Sequence, residues 1–347
     1  MLTSMILKNF TVFPDVTFDF GNHLNVFVGE NGSGKSHVLK AAYAAISVSA
    51  RGEKESGAAA PTKAYLQGVL ARKLNGVFKP DELGRLVRRQ AGRNRCEVGL
   101  IFQKASSNIG FSFHTASKTE VTIDKTPLGW EKEIPVFLPT RELLTIYPGF
   151  VSLYETTDLP FEETWRDTCL LLGAPLAKGP RLKSIKDLLI PLENAMGGSV
   201  ELESGRFYLK TDSGRMEVHL VAEGLRKLAM IARLIATGSL LDKGYLFWDE
   251  PEANLNPLNI KKVANTILQL SKSGIQVFIS THSLFLMREL FILQQTKDFK
   301  DIESRYFGLQ IFEDGVNLKQ GPSLDDIGNI TSLEEELTQS NEYMELE

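Results

Sequence analysis

Between Met5 and Phe20 apolar residues alternate with polar ones on either side of Pro14, which predicts two short half-buried strands. Leu24–Val28 (LNVFV) is instead almost continuously apolar, as a strand buried on both faces requires. A glycine-rich turn follows, then a helix from about Lys35 to Val48. Residues 51–65 (RGEKESGAAAPTKAY) mix Gly, Ala and charge and read as a loose surface insertion. Residues 66–90 read as helical, broken near Pro80. Segments Glu97–Phe102, Ile109–His114 and Glu120–Ile123 predict a small antiparallel sheet, and Pro135–Leu138 another buried strand. Residues 150–196 read as mostly helical. A hairpin follows, Ser199–Glu203 with Arg206–Lys210, continuing into Met216–Leu220.

The last third alternates the two periodicities. Helix Leu225–Ala236, strand Tyr245–Trp248, helix Pro257–Ser273, strand Ile275–Ser280 and helix Leu284–Leu293 succeed one another. Asn256 as N-cap, Pro257 at the first helical position and Gly274 past the end bracket the middle helix. Such alternation implies right-handed crossovers and an α/β fold on a mostly parallel sheet.

Three of the predicted strands end in chemistry. Gly29–Ser36 (GENGSGKS) matches the phosphate-loop pattern GxxxxGK[ST] between a strand and a helix, the context its mechanism demands. Gly29, Gly32 and Gly34 let the backbone amides of Asn31, Ser33 and their neighbours, through His37, curl around phosphates at a helix N-terminus. Lys35 would reach the β- and γ-phosphates of ATP, and the Ser36 hydroxyl would ligate Mg²⁺. The strand YLFWD brings Asp249 and Glu250 to the carboxyl edge of the same sheet. Asp249 is expected to hold the Mg²⁺ and Glu250 to orient and deprotonate the attacking water. The strand after it ends at His282, placed to donate to the γ-phosphate or the water.

Phosphate loop, acidic strand and histidine strand in this order resemble the ABC-type ATPases, and more narrowly their SMC/RecF/OLD-like branch. The opening ILKNFTVFPDVTFDFGNHLNVFVGENGSGKS is similar to that branch almost throughout. EPEANLNP resembles the EPE-x-x-LHP segment of OLD-like ATPases, with Asn256 where they usually carry His. FLPTRELL resembles a motif of bacterial OLD-related ATPases, many of which serve anti-phage systems. The resemblance covers most of residues 1–50 and 134–290. It implies an ABC-type head in which a signature loop contacts the ATP of an opposite subunit. In that place stands VAEGLRKLAMIARLI, where Ala222 replaces the usual serine, Glu223 replaces a glycine, and Gly224 survives. Either the helix start with Arg226 or Lys227 reaches a phosphate across a dimer, or this is an amphipathic helix with a glycine start. The glutamine that transporter subunits carry after the Pro135 strand is missing. Arg141 stands there as a phosphate sensor, as the partner of Glu142 or at the domain interface.

Composition narrows the class further. No apolar run approaches the roughly 18 residues a membrane span needs, the N-terminus carries Lys8 and no cleavage site, and Cys96 and Cys169 stand alone, so a cytoplasmic protein without a membrane role is expected. Residues 51–95 hold eleven Lys or Arg against four acids, whereas residues 320–347 hold eight carboxylates and no base. Arg72, Lys73, Arg85, Arg88, Arg89, Arg93 and Arg95 either grip a nucleic-acid backbone, making 72–95 a DNA contact, or form a solvated face. Leu324, Ile327, Ile330, Leu333 and Leu337 recur at helical spacing in the acidic tail, so it is read as a docking helix or a disordered solubilising segment.

The whole chain is expected to be one ABC-type ATPase domain: a core lobe of 1–50, 91–145 and 220–320, a basic insertion 51–90, a helical lobe 146–219 and an acidic tail 321–347. The expected function is Mg²⁺-dependent ATP hydrolysis in a homodimer or higher homo-oligomer. This switch would control a separately encoded effector, a nuclease, in phage defence or DNA repair. The alternative is the ATP-binding subunit of a membrane transporter.

Overall fold

A computed structural model describes residues 1–179, 182–241, 244–329 and 331–346 of the chain. Strands β1 (Leu2–Phe10) and β2 (Phe13–Asp19) form the predicted hairpin, and β3 (Leu24–Gly29) follows, buried at every residue. Helix α1 (Lys35–Ser56) does not stop at Val48 as expected. Gly52 packs against the Trp130 ring, where a β-carbon would clash, and Gly57 at φ +66° supplies the left-handed cap. The expected loose insertion thus shrinks to residues 57–62. Helix α2 (Lys63–Phe78), capped by Thr62, buries Leu66, Leu70, Leu74 and Val77. It ends before Pro80, and only a short 3-10 turn at Leu83–Leu86 follows it, not the continued helix.

Strands β4 (Arg95–Phe102), β5 (Ile109–His114) and β6 (Thr122–Lys125) complete the predicted antiparallel sheet, ordered β2-β1-β4-β5-β6. After β7 (Pro135–Leu138) come helices α3 (Tyr147–Thr156), α4 (Glu163–Leu172) and α5 (Leu182–Met196). A three-stranded sheet follows, β8 (Ser199–Glu203), β9 (Arg206–Thr211) and β10 (Gly214–Glu217). Its third strand stops at Glu217, because Val218–Leu220 form a 3-10 turn whose Val218 is buried.

The alternating last third is present: α6 (Glu223–Ala236), β11 (Tyr245–Asp249), α7 (Pro257–Lys272), β12 (Gln276–Thr281) and α8 (Leu284–Gln294). Asn256 caps α7, its side chain accepting from Asn259 N at 2.9 Å. A further hairpin, β13 (Ser304–Phe312) and β14 (Gly315–Gly321), was not anticipated. Helix α9 (Thr331–Glu345) lies in the acidic tail.

The sheet that positions the site is ordered β14-β13-β3-β12-β11-β7, every pair parallel except β13–β14. Side-chain alternation on β11 divides two cores. Leu246 and Trp248 belong to a core shared with α6 and α7, while Tyr245 and Phe247 belong to one shared with α1 and the antiparallel sheet. The arrangement is an α/β fold, and the carboxyl ends of β3, β12, β11 and β7 share one edge.

The tail is not the single apolar stripe its spacing predicts. Ile327 is buried in a 3-10 turn against Gly308, Gly328 breaks the helix at φ +70°, and Leu337 is exposed on α9. Ile330 and the side chain of Leu333 lie outside the described residues.

Candidate nucleotide site

The phosphate loop leaves β3 and enters α1 through two left-handed glycines, Gly32 at φ +87° and Gly34 at φ +91°. Gly34 is the N-cap of α1, and a β-carbon there would sit 2.6 Å from Val12 Cγ2 and 2.7 Å from Phe13 Cζ. Only glycine meets both conditions. Lys35 folds back over the loop, its Nζ donating to Gly29 O at 2.7 Å and Glu30 O at 3.0 Å. Burial draws its pKa below the ordinary lysine value, against the pull of Glu250 and Asp249. Asn31 and Gly32 are exposed at the loop tip, while Ser33 Oγ and His37 Nδ1 are buried without a partner among the described residues. Burial holds His37 at about 4, so its ring is neutral near pH 7.

Parallel register carries the other motifs to the same edge. Asp249 lies opposite Ser280, and Thr281 opposite Val28. Ser36 Oγ donates to Asp249 Oδ1 at 2.8 Å, and Ser280 Oγ donates to the same oxygen. A hydroxyl and a carboxylate oxygen converging at one point suit the hard, oxygen-seeking Mg²⁺. Glu250 turns out of the strand at φ +46°, its amide donating to Ser280 O at 3.1 Å. His282 Nδ1 lies 3.4 Å from Glu250 Oε1. That hydrogen bond holds the Glu250 carboxyl below its ordinary pKa and raises that of His282.

Four further residues complete this edge, of which sequence reasoning passed over Ser280 and Glu252 and placed Lys227 and Glu142 differently. Ser280 orients Asp249, and buried Glu252 accepts from Thr281 Oγ1 at 2.6 Å. Lys227 points inward, not toward an opposite subunit: it is 2% exposed and donates to Glu250 O at 2.7 Å. Burial lowers its pKa to about 8. Glu142 pairs with Arg226, Nε to Oε1 at 2.8 Å, and not with Arg141, the alternative to a phosphate-sensing role for that arginine. The reason is local: Glu142 Oε2 already accepts from Leu144 N at 2.8 Å, which turns the carboxylate away from exposed Arg141 and toward α6. Arg226 is therefore engaged within its own chain. Ala222 is the N-cap of α6, and Gly224 packs on Asn254, where a β-carbon would be 2.7 Å from the carbonyl oxygen.

A cavity of about 500 Å³ opens beside Gly32 and His37, lined also by Val12, Arg85, Arg88 and Phe312. It offers an apolar wall and cations within reach of the loop. The basic segment is thus divided. Lys73 is buried in ion pairs with Asp167 at 2.7 Å and Glu163 at 2.9 Å, so it cannot grip a nucleic acid. Arg95 pairs with Asp124 at 2.7 Å, and Arg88 donates to Asp314 O. Arg72, Arg85, Arg89 and Arg93 remain exposed.

The family described as "AAA domain, putative AbiEii toxin, Type IV TA system" matches residues 24–288. No curated protein matches the chain. Among solved structures, an Smc head bound to the C-terminal winged-helix domain of ScpA is similar over 93% of this chain and 98% of that one, at 14% identity and a TM-score of 0.54. An Smc head with an extended coiled coil, bound to the C-terminal domain of ScpA derived from Pyrococcus furiosus, is similar over 99% of both chains, at 12% identity and a TM-score of 0.54. At these identities the likeness is one of fold. Among the described residues, no helix is long and apolar enough to cross a membrane.

Proposed function

The chain belongs to that AAA-domain family and is a P-loop ATPase of the ABC type; from this premise we propose that it hydrolyses ATP to ADP and phosphate as an ATP-driven dimer switch. The convergence of Ser36, Asp249, Glu250 and His282 from three adjacent parallel strands carries this reading. Lys35 would exchange the Gly29 and Glu30 carbonyl oxygens for the β- and γ-phosphates, and Ser36 and Asp249 would hold Mg²⁺. Bound there, the ion supplies charge neutralisation to the phosphates. Glu250 accepts the proton of the attacking water, and His282 braces that carboxylate and donates to the γ-phosphate. The cavity beside His37 receives the base, with Arg85 and Arg88 at its rim. The α6 start at Ala222, Glu223 and Gly224 faces the nucleotide of a second copy, and Arg141 senses its state.

The similar Smc heads are bound to a partner protein, which supports a protein partner for this chain. We assign the chain to the control of a separately encoded effector, a nuclease, in phage defence or DNA repair. Any DNA contact falls to Arg72 and Arg93, since Lys73 is buried and Arg85, Arg88 and Arg89 line the base cavity. The test is Glu250→Gln. Turnover should fall by about 10²–10⁴ while ATP binding persists, and light scattering should show a tighter dimer with ATP than without. Wild-type turnover in this variant would remove Glu250 as the base; unchanged mass would remove the nucleotide-controlled dimer.

A further inference from the structure

The turn that carries Glu250 is held in an uncommon shape. Glu250 at φ +46° and Asn254 at φ +62° are both left-handed, and non-glycine residues keep such angles only where their surroundings impose them. Two anchors impose it here. From β12, Thr281 Oγ1 donates to Glu252 Oε1 at 2.6 Å. From α6, Lys227 Nζ donates to Glu250 O at 2.7 Å and to Ala253 O at 3.2 Å. A lysine kept merely to balance charge would rest against a carboxylate, yet the ion pairs among the described residues do not include Lys227. Its donors go to main-chain carbonyls at both ends of one turn. Asn254 Nδ2 also donates to Glu223 Oε1 at 2.9 Å, so the start of α6 and this turn are joined twice.

We propose that Lys227 is a positioning residue for hydrolysis, its buried ammonium clamping the Glu250 and Ala253 carbonyl oxygens so that the turn aims the Glu250 carboxylate at the attacking water. The proposal rests on Glu250 as the general base. It makes α6 and the base one mechanical unit: a displacement of the α6 start reaches the turn behind Glu250 through Lys227 and through the Asn254–Glu223 hydrogen bond.

Lys227→Met keeps the buried stem and removes the donor. In the full-length protein, labelled-ATP binding should stay within about threefold of wild type while kcat falls by about 100-fold. Adding Lys227→Met to Glu250→Gln should cost no further activity, because both act through the same carboxylate. Lys227→Gln, which keeps a shorter donor, should bind ATP normally with an intermediate kcat, and it serves if the methionine variant does not fold. A folded, ATP-binding variant of either kind with wild-type kcat overturns the proposal, as does a Lys227→Met loss that multiplies with that of Glu250→Gln. If Glu250→Gln itself keeps full activity, the base assignment has failed instead, so the two failures are distinguishable.

Discussion

Lys73 stands in the basic segment that suggested a nucleic-acid grip, and replacing it should cost stability, not binding. Its Nζ donates to Asp167 Oδ2 at 2.7 Å and Glu163 Oε1 at 2.9 Å and lies 5.0 Å from the Tyr43 ring centroid. Asp167 accepts as well from Tyr43 OH at 2.5 Å and from Arg166 at 3.0 Å. Burial alone would push the Asp167 carboxyl up, but Lys73, Arg51 and the hydrogen bonds hold it at about 2, against 3.8. At 1.36 kcal/mol per pKa unit, that depression is on the order of 2 kcal/mol of stability at neutral pH. Lys73→Met also strands a buried carboxylate, so the total cost should be about 3–5 kcal/mol. For a chain of this size that lowers the melting temperature by about 4–7 °C. The sign with pH follows from the depressed value: the stabilisation is present above the ordinary 3.8 and is lost as pH falls toward 2. Calorimetric melts should therefore show the gap between wild type and variant closing by at least about 1 kcal/mol between pH 7 and pH 3, since protonation also relieves the carboxylate stranded in the variant. Arg72→Ala, on the exposed side of the same helix, should melt within about 1 °C of wild type. A Lys73→Met protein that melts like wild type but has lost affinity for DNA would refute the reasoning.

His282 should stay protonated above its ordinary 6.5 because Glu250 accepts from it; its NMR-monitored pKa should fall in Glu250→Gln, and an identical value in both proteins would contradict the pairing. Gly34→Ala should weaken ATP binding at least about tenfold, measured with a fluorescent analogue, since φ is +91° and Val12 and Phe13 leave no space for a methyl group; wild-type affinity would count against the loop geometry.

What was legible in the chain is what local pattern encodes. β3, β11 and β12 are apolar runs ended by residues with distinctive chemistry, so Lys35, Asp249, Glu250 and His282 could be placed on one sheet edge before any fold was seen. β13 and β14 escaped because Ile311 and Phe312 are half exposed and blur the alternation. Their one clear signal is the turn Glu313-Asp314-Gly315, with Gly315 at φ +120°. The charged residues failed for a different reason. On a helix, Arg226, Lys227 and Lys73 read as solvent-facing, because burying an unpaired cation is costly. Each is buried or engaged only because an acceptor arrives from elsewhere: Glu142 from 84 positions away, Glu250 from 23, Asp167 from 94. No local pattern carries such pairings. The departure from the family's Ser-Gly signature looks like degeneration when read alone, but Glu223 holds Asn254 and Gly224 packs on the same residue. Glu223, which departs from the signature, thus ties the start of α6 to the turn behind Glu250, beside the bond that Lys227 makes to the Glu250 carbonyl oxygen.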